Sequence, residues 1–424
     1  MPPRATLVLA DRPAARSALV ALAGAVEGSA LSPRVTLVLA RGAAAVAHAA
    51  RRGRSSGDAV AVAWSFYSAD AAEVASELAR ARADAPEDLL HLAGGVHATA
   101  EPEATLGLGF DLVARGEGEE TILAVLARLL ESEDPRAVTG LAWREGGRTA
   151  TSGRAAPVRL DDHPASSRRL GKALALEVTR GCVWACRFCQ TPFLQRARFR
   201  HRSVAAAREW ARHAVALGHR DLRFLTPSAL SYGAEGPEVR LEAVEELLGA
   251  VHAEAGPSRR IFFGSFPSEI RPEHVSPEAL AVLRRLTDNR ELLVGAQSGS
   301  DRLLAAVERG HGVAEVERAV RLCRQAGFGV AVDFIVGLPG EDEADLAATR
   351  SLMARLAEEG ARIHAHAFMP LPGTPWRDAP PGRIDGVTRS LLHRLESRGR
   401  AFGQWRRQER LASDLSERRA RRGT

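Results

Sequence analysis

Short apolar runs alternate with stretches of helical period along almost the whole chain, and this alternation restricts the fold to α/β architectures built on parallel strands. In the first 150 residues, the runs at 6–10, 35–40, 59–64, 89–93 and 111–114 read as strands. Most are followed by Ala-rich segments of helical period such as 71–83 and 119–130. The pattern predicts a doubly wound, Rossmann-like parallel sheet over residues 1–150. Residues 151–172 are polar, rich in Arg, Ser, Asp and Pro, and read as a linker.

Beyond the linker the alternation resumes, with strands expected at 173–179, 221–225, 261–265, 292–296, 330–336 and 363–368. Helices are expected at 204–217, 241–254 and 314–325. Six parallel strands with helical crossovers predict a full or partial (β/α)6 barrel over 173–379, with its site at the C-terminal strand ends. Residues 380–424 read as a charged helical tail ending in Arg419, Arg421 and Arg422.

The formal net charge of +6 and the pI near 9.8 raise the question of a phosphate-bearing partner. Lys172 is the only lysine, however, and the chain is saturated with Ala, Arg and Gly. That is a compositional bias, and the basic residues read as solvated surface rather than a nucleic-acid site. No apolar stretch is long enough for a membrane helix, and residues 1–10 lack the layout of a secretion signal, which places the chain in the cytoplasm.

Of four cysteines, Cys323 falls at helical spacing from Val316 and Val320, as a core position does. The other three, Cys182, Cys186 and Cys189, crowd into Gly181-Cys-Val-Trp-Ala-Cys-Arg-Phe-Cys189, directly after the first strand of the second domain. Three thiolates on one short loop can each bind one iron of a four-iron, four-sulfur cubane and leave the fourth iron open. The residues alone leave two alternatives: a zinc site completed by a histidine such as His201, or three incidental cysteines. Zinc sites favour paired C-x-x-C units.

This C-x-x-x-C-x-aromatic-C loop resembles the signature of the radical S-adenosylmethionine superfamily. The resemblance implies that the amino and carboxylate groups of S-adenosylmethionine chelate the open iron, with Phe188 near the adenine. Gly295-Ala-Gln-Ser-Gly-Ser300 resembles the family's fourth-strand ligand segment, which implies contacts from Gln297 and Ser298. Asp333-Phe-Ile-Val-Gly-Leu-Pro-Gly-Glu341 resembles the fifth-strand segment behind the adenine, which implies a role for Gly337. Two departures stand out: Thr226-Pro-Ser228 replaces a Gly-Gly-Glu-like segment, and Gln297 occupies a place often held by Glu. In the third strand, Ser265, Glu269 and Arg271 are candidate polar contacts, although a surface ion pair equally accounts for the last two.

The N-terminal half resembles the cobalamin-binding domain that precedes the radical barrel in one large subclass. The matching segments are Trp64-Ser-Phe-Tyr-Ser68, Gly94-Gly-Val-His-Ala-Thr-Ala100 and Arg115-Gly-Glu-Gly-Glu-Glu120, all at C-terminal strand ends. They imply Ser65, Gly94, Gly95, His97, Thr99 and Glu117 as cobalamin contacts. The Asp-x-His-x-x-Gly pattern of many corrin domains is missing from the first loop, Asp11-Arg-Pro-Ala-Ala-Arg16, so cobalamin would bind without a histidine ligand there, or the domain is vestigial.

The resemblance covers about residues 5–375 and implies a radical enzyme, with methyl transfer to an unactivated carbon as the leading activity. Ring rearrangement or cyclisation is the alternative. A structural metal-binding or RNA-binding protein is the alternative from another class. The implied partners are an unidentified small-molecule or peptide substrate and an electron donor such as flavodoxin or ferredoxin. Radical methylthiotransferases carry a second cluster on N-terminal cysteines, and this chain has none before Cys182. Glu117, Glu119, His364 and His366 are further candidates for a cavity wall.

Overall fold

The computed structural model describes residues 3–86 and 89–420 of the 424. It divides into two compact units, Met1–Leu176 with Arg212–Gly218, and Glu177–Ala211 with His219–Thr424. Arg421 and Arg422 of the expected tail lie outside the described residues.

The first unit is built on strands β1 (Ala5–Ala10), β2 (Val35–Ala40), β3 (Ala59–Ser65), β4 (Leu90–Gly94) and β5 (Leu112–Ala114), followed by β6 (Leu141–Glu145) and β7 (Arg148–Thr151). They form one sheet in the order β2-β1-β3-β4-β5-β6-β7. The first five are parallel, in the doubly wound order 2-1-3-4-5. Alternate residues serve opposite faces. Val8, Val62 and Trp64 pack with Val46, Val74 and Leu78 on one side, while Leu7, Leu9, Ala61 and Ala63 pack with Leu19, Ile122 and Val125 on the other. A sheet covered on both faces explains why its strands read as unbroken apolar runs.

Two features depart from the sequence reading. The sheet is mixed, because β6 and β7 add an antiparallel hairpin turned at Gly146 and Gly147, both with positive φ. Residues 151–172, expected as a linker, are docked onto this unit: Glu27 accepts the backbone N–H groups of Arg168 and Arg169, at 2.8 and 3.2 Å, and the Ser167 hydroxyl.

The second unit opens at β8 (Leu176–Glu177), β9 (Thr179–Arg180) and β10 (Arg200–His201), and continues with β11 (Asp221–Leu225), β12 (Arg260–Phe262), β13 (Glu291–Gln297), β14 (Gly329–Val336), β15 (Arg362–Ala367) and β16 (Ala401–Phe402). They pair in the orders β12-β11-β8 and β13-β14-β15-β16, and a parallel bridge from Ile270 to Val294 links the two sets into a partial barrel. The single strand expected at 173–179 is broken. Val178 donates to Leu225, whereas Thr179 and Arg180 turn away to pair antiparallel with β10. The tail is not purely helical, since β16 extends the sheet between the helices Gly386–Ser397 and Trp405–Ala420. No described helix is long and apolar enough to cross a membrane.

Candidate active site

The cysteine loop is fixed at both ends. Gly181 has φ of +81°, and a Cβ there would lie 2.1 Å from the Arg198 carbonyl oxygen, so only glycine lets the loop leave β9. Cys182 N–H donates to Arg196 O at 3.3 Å, Cys189 N–H closes a turn onto Cys186 O at 2.9 Å, and Arg187 N–H donates to Val307 O at 3.1 Å. Phe188 is held by Leu303, Val307, Leu338 and Phe368.

With these restraints, Cys182, Cys186 and Cys189 line a single cavity of about 340 Å³ at the C-terminal strand ends, together with Phe188, Gln297, Glu269, Arg271, Arg309, Asp333 and His366. Burial, with a smaller contribution from the neighbouring Cys189 and Cys186, pushes the Cys182 thiol up to about 12. Burial raises Cys189 as well. Cys182 and Cys189, whose ionisation this environment disfavours, stand beside Cys186 as a poor set of free anions and a suitable donor set for a cationic metal core, which removes the desolvation and repulsion costs together. The residues therefore fit an iron–sulfur cluster. His201 does not join them: its Nδ1 meets Thr179 Oγ1 at 2.9 Å and its Nε2 the Ala234 carbonyl at 2.8 Å, so both ring nitrogens are engaged away from the thiols. Cys323 is a fully buried core residue.

Charged residues behind the thiols form a chain that no motif announced. Arg309 is 4% exposed; it donates to Cys186 Sγ at 3.7 Å, to Glu269 at 3.1 Å and to the Gly295 carbonyl at 3.0 Å. Arg271 pairs with Glu273, donates to the Arg309 carbonyl, and lies over the Trp184 ring with its guanidinium carbon 3.9 Å from the centroid. Burial opposes the Glu273 charge, but His311 and Arg271 together bring its carboxyl down to about 2. Glu269 and Arg271 thus belong to a buried network and not to the surface ion pair the sequence also allowed.

Other expected contacts are more scattered. Gln297 reaches the cavity because the β13–β14 register shifts between Gly295 and Gln297, where Gln297 takes φ of +74°. Pro227 and Ser228 of the departing second-strand segment also line the cavity. Ser298 is fully buried, bonded to Thr349 and Ser300, and is absent from the lining. Gly337 also lies off the lining; its N–H donates to Glu341 at 2.7 Å, and a Cβ there would strike Arg383 N at 2.6 Å. The Ser265 hydroxyl accepts from Asn289 at 3.0 Å.

On the next two strands, Asp333, His364 and His366 bring one ligand atom each within 4.8 Å of one another. His364 Nδ1 donates to Asp333 at 2.6 Å, and His366 Nε2 lies 3.8 Å from the same oxygen. The His364 ring stacks on Phe402, so of the two histidines only His366 lines the cavity. Gln408 accepts the Ala367 N–H through Oε1, at 3.1 Å, and so presents its amide nitrogen to His366 Nδ1, also at 3.1 Å. Nδ1 is therefore an acceptor, and neutral His366 carries its proton on Nε2. A metal-binding imidazole needs that nitrogen bare, so this trio is a hydrogen-bonded cluster in the present arrangement.

In the first unit, the expected residues gather at the ends of β3, β4 and β5. Gly95, with φ of +89°, packs so closely that a Cβ would lie 2.7 Å from Ser65 Oγ. His97 Nδ1 meets Ser68 Oγ at 2.9 Å. Thr99 accepts the Gly116 N–H at 3.1 Å, and Glu117 accepts the Val158 N–H at 3.0 Å. Glu119 is buried at the first position of its helix. Gly94 differs from its neighbour: the nearest atom to an added Cβ is Ala114 Cβ at 3.8 Å, so nothing among the described residues demands glycine there. Asp11 of the first loop is held by Arg16 and Arg41, and burial is outweighed by these contacts, which lower its carboxyl.

The pattern of the Radical SAM superfamily matches residues 176–353, the segment that carries the three cysteines and the strands β8 to β14. Residues 176–353 thus carry a Radical SAM domain. A curated relative, the tRNA-2-methylthio-N(6)-dimethylallyladenosine synthase of Saccharophagus degradans, is 30% identical over 230 residues, which are 54% of this chain and 49% of the relative. The chain thus matches about half the length of that relative. Among solved structures, the radical S-adenosylmethionine methyltransferase TsrM from Kitasatospora setae, with cobalamin and a [4Fe-4S] cluster bound, superposes with a TM-score of 0.67 at 18% identity, covering 89% of this chain and 74% of TsrM. The cobalamin-dependent radical enzyme OxsB gives 0.65 at 17% identity, over 83% of this chain and 52% of OxsB. Both likenesses bear out the fold, a cobalamin-domain-like sheet followed by a radical SAM barrel and a helical C-terminus. Proteins of that superfamily use a four-iron, four-sulfur cluster and S-adenosylmethionine, and Cys182, Cys186 and Cys189 are the residues here that would hold such a cluster.

Proposed function

We propose that the protein is a radical enzyme that uses S-adenosylmethionine and cobalamin to methylate an unactivated carbon of a small-molecule or peptide substrate. The observation that carries this reading is the convergence of Cys182, Cys186 and Cys189 on one cavity at the barrel mouth, in a chain whose first unit has the cobalamin-domain topology. When bound, the cluster supplies one electron for reductive cleavage of the carbon–sulfur bond of S-adenosylmethionine, the electron arriving from a low-potential donor such as a flavodoxin or ferredoxin.

The side chains have the following tasks in this reading. The cysteines would hold the cluster, Phe188 and Ile335 form apolar walls that limit water, and Gln297 offers a neutral amide where a carboxylate would act as a base. In the first unit, Gly94 leaves room for a bulky planar ligand, and the Asp11 loop offers no imidazole to it.

Anaerobically reconstituted protein supplied with reductant, hydroxocobalamin and substrate should form 5′-deoxyadenosine and S-adenosylhomocysteine in equal amounts, with one methyl gained by the substrate. 5′-Deoxyadenosine alone, with a rearranged or cyclised product, would replace methyl transfer by another radical transformation. Colourless protein holding zinc would overturn the radical reading altogether.

A further inference from the structure

We propose that Arg309 sets the electron affinity of the metal centre through its contact with Cys186. The proposal rests on the reading of Cys182, Cys186 and Cys189 as cluster ligands and assigns a task to a residue outside that set.

The segment Val307–Arg309 is the surface against which the cysteine loop is built. Val307 O accepts from Arg187 N–H, Glu308 O lies 3.7 Å from Cys186 Sγ, and the Arg309 guanidinium donates to that sulfur at 3.7 Å. Glu308 takes φ of +59°, a left-handed conformation uncommon for a residue with a side chain, and this turn puts the 308 carbonyl and the Arg309 side chain on the same sulfur. Arg309 is nearly inaccessible, and its Nε has no partner among the described residues although it is buried. A buried guanidinium with one donor unsatisfied has a cost in desolvation that Glu269 alone only partly offsets. An anionic metal–thiolate centre beside it supplies the missing counter-charge.

The electrostatic consequence is directional. Arginine stays protonated throughout, so no proton moves with the electron. When one electron arrives from an external low-potential donor, no bond forms or breaks at Arg309, and negative charge grows on the thiolate sulfurs. A charge-assisted N–H···S contact strengthens as that charge grows, so it favours the reduced form. Arg271 sits one step further out, on Trp184, and has Glu273 as its own counter-ion, so its effect is smaller.

The test is an anaerobic redox titration of the full-length protein by electron paramagnetic resonance, with iron and sulfide measured on each sample. In Arg309→Met, the ratio of reduced to oxidised centre at a fixed potential should fall about tenfold, which is a shift of about 59 mV for a one-electron couple. Arg309→Lys, which keeps the charge but not the fork, should show a smaller fall. An unchanged potential in Arg309→Met at full iron content overturns the proposal. A second readout needs no variant to assemble: wild-type protein labelled with 15N-arginine should show a nitrogen coupling to the reduced centre in pulsed spectra, and no such coupling would equally overturn it. Wild-type protein with no reducible iron–sulfur signal would instead remove the underlying reading, so the two failures are distinct.

Discussion

Gln408 is locked to His366 as donor to acceptor, because its own carbonyl oxygen is already committed to the Ala367 N–H. The lock keeps the proton of neutral His366 on Nε2, facing Asp333. Wild-type protein should therefore take up no zinc beyond its iron. Gln408→Glu should bind about one zinc per chain, since a carboxylate can accept from Nδ1–H and free Nε2 for coordination beside His364 and Asp333. Metal analysis after dialysis decides this, and tight zinc binding by the wild type would refute the tautomer assignment.

Two cysteine variants separate site from core. Cys186→Ala should lose cluster assembly and S-adenosylmethionine cleavage, whereas Cys323→Ala should retain both and lose only about 1 kcal/mol of stability from the small void it leaves. Iron content, 5′-deoxyadenosine formation and the thermal midpoint report these effects. Full iron retention in Cys186→Ala would count against the assignment of ligands.

Neighbouring glycines should respond in opposite ways. Gly95→Ala meets both a positive φ and the Ser65 hydroxyl, and should destabilise the protein by about 1–3 kcal/mol. Gly94→Ala has extended backbone and room for the methyl, so its thermal midpoint should not move. If a corrin approaches that strand end, Gly94→Ala should weaken hydroxocobalamin binding in a spectroscopic titration. Equal binding by wild type and variant would remove Gly94 from the proposed contacts.

Glu341 provides a pH test. Burial raises its carboxyl to about 7 in the folded protein, against an unfolded value of 4.5. Between those values the folded state holds the proton more tightly, so the stability this group contributes is present below pH 4.5 and is lost as pH rises to 7. Glu341→Gln keeps an acceptor for the Gly337 N–H and removes the titration. It should be more stable than wild type at pH 8, by about 1–3 kcal/mol, and equal to it near pH 4.5. A constant difference across that range in chemical denaturation would contradict the assignment.

The long strands and helices were legible because each buries one face or both, which the apolar period records directly. Val35–Ala40, Asp221–Leu225 and the helix Ala71–Ala83 lie where the period places them. The β8–β9 break was not legible, since one apolar run changes pairing partner at Val178 and hydrophobicity carries no information about partners. The hairpin turn at Gly146-Gly147 was a readable signal that lay inside the stretch read as a purely parallel sheet. Two-residue β16 has no period at all; pairing with Ile363 and His364 selects it. In the candidate site, the cysteines and Phe188 were legible from a local motif. Arg309 was not, because it becomes part of the site only when the turn after a later helix is folded against a loop more than a hundred residues earlier.

The shifted register at Gly295–Gln297 separates two demands on one strand. Upstream, Leu292 and Val294 must stay buried in the alternation that holds β13 to β14. Downstream of the extra residue, that alternation no longer dictates which way a side chain faces. Position 297 is thereby released from the barrel's packing code. Evolution can exchange the side chain presented there without repacking the interior, so specificity at this strand end can drift while the scaffold stays fixed.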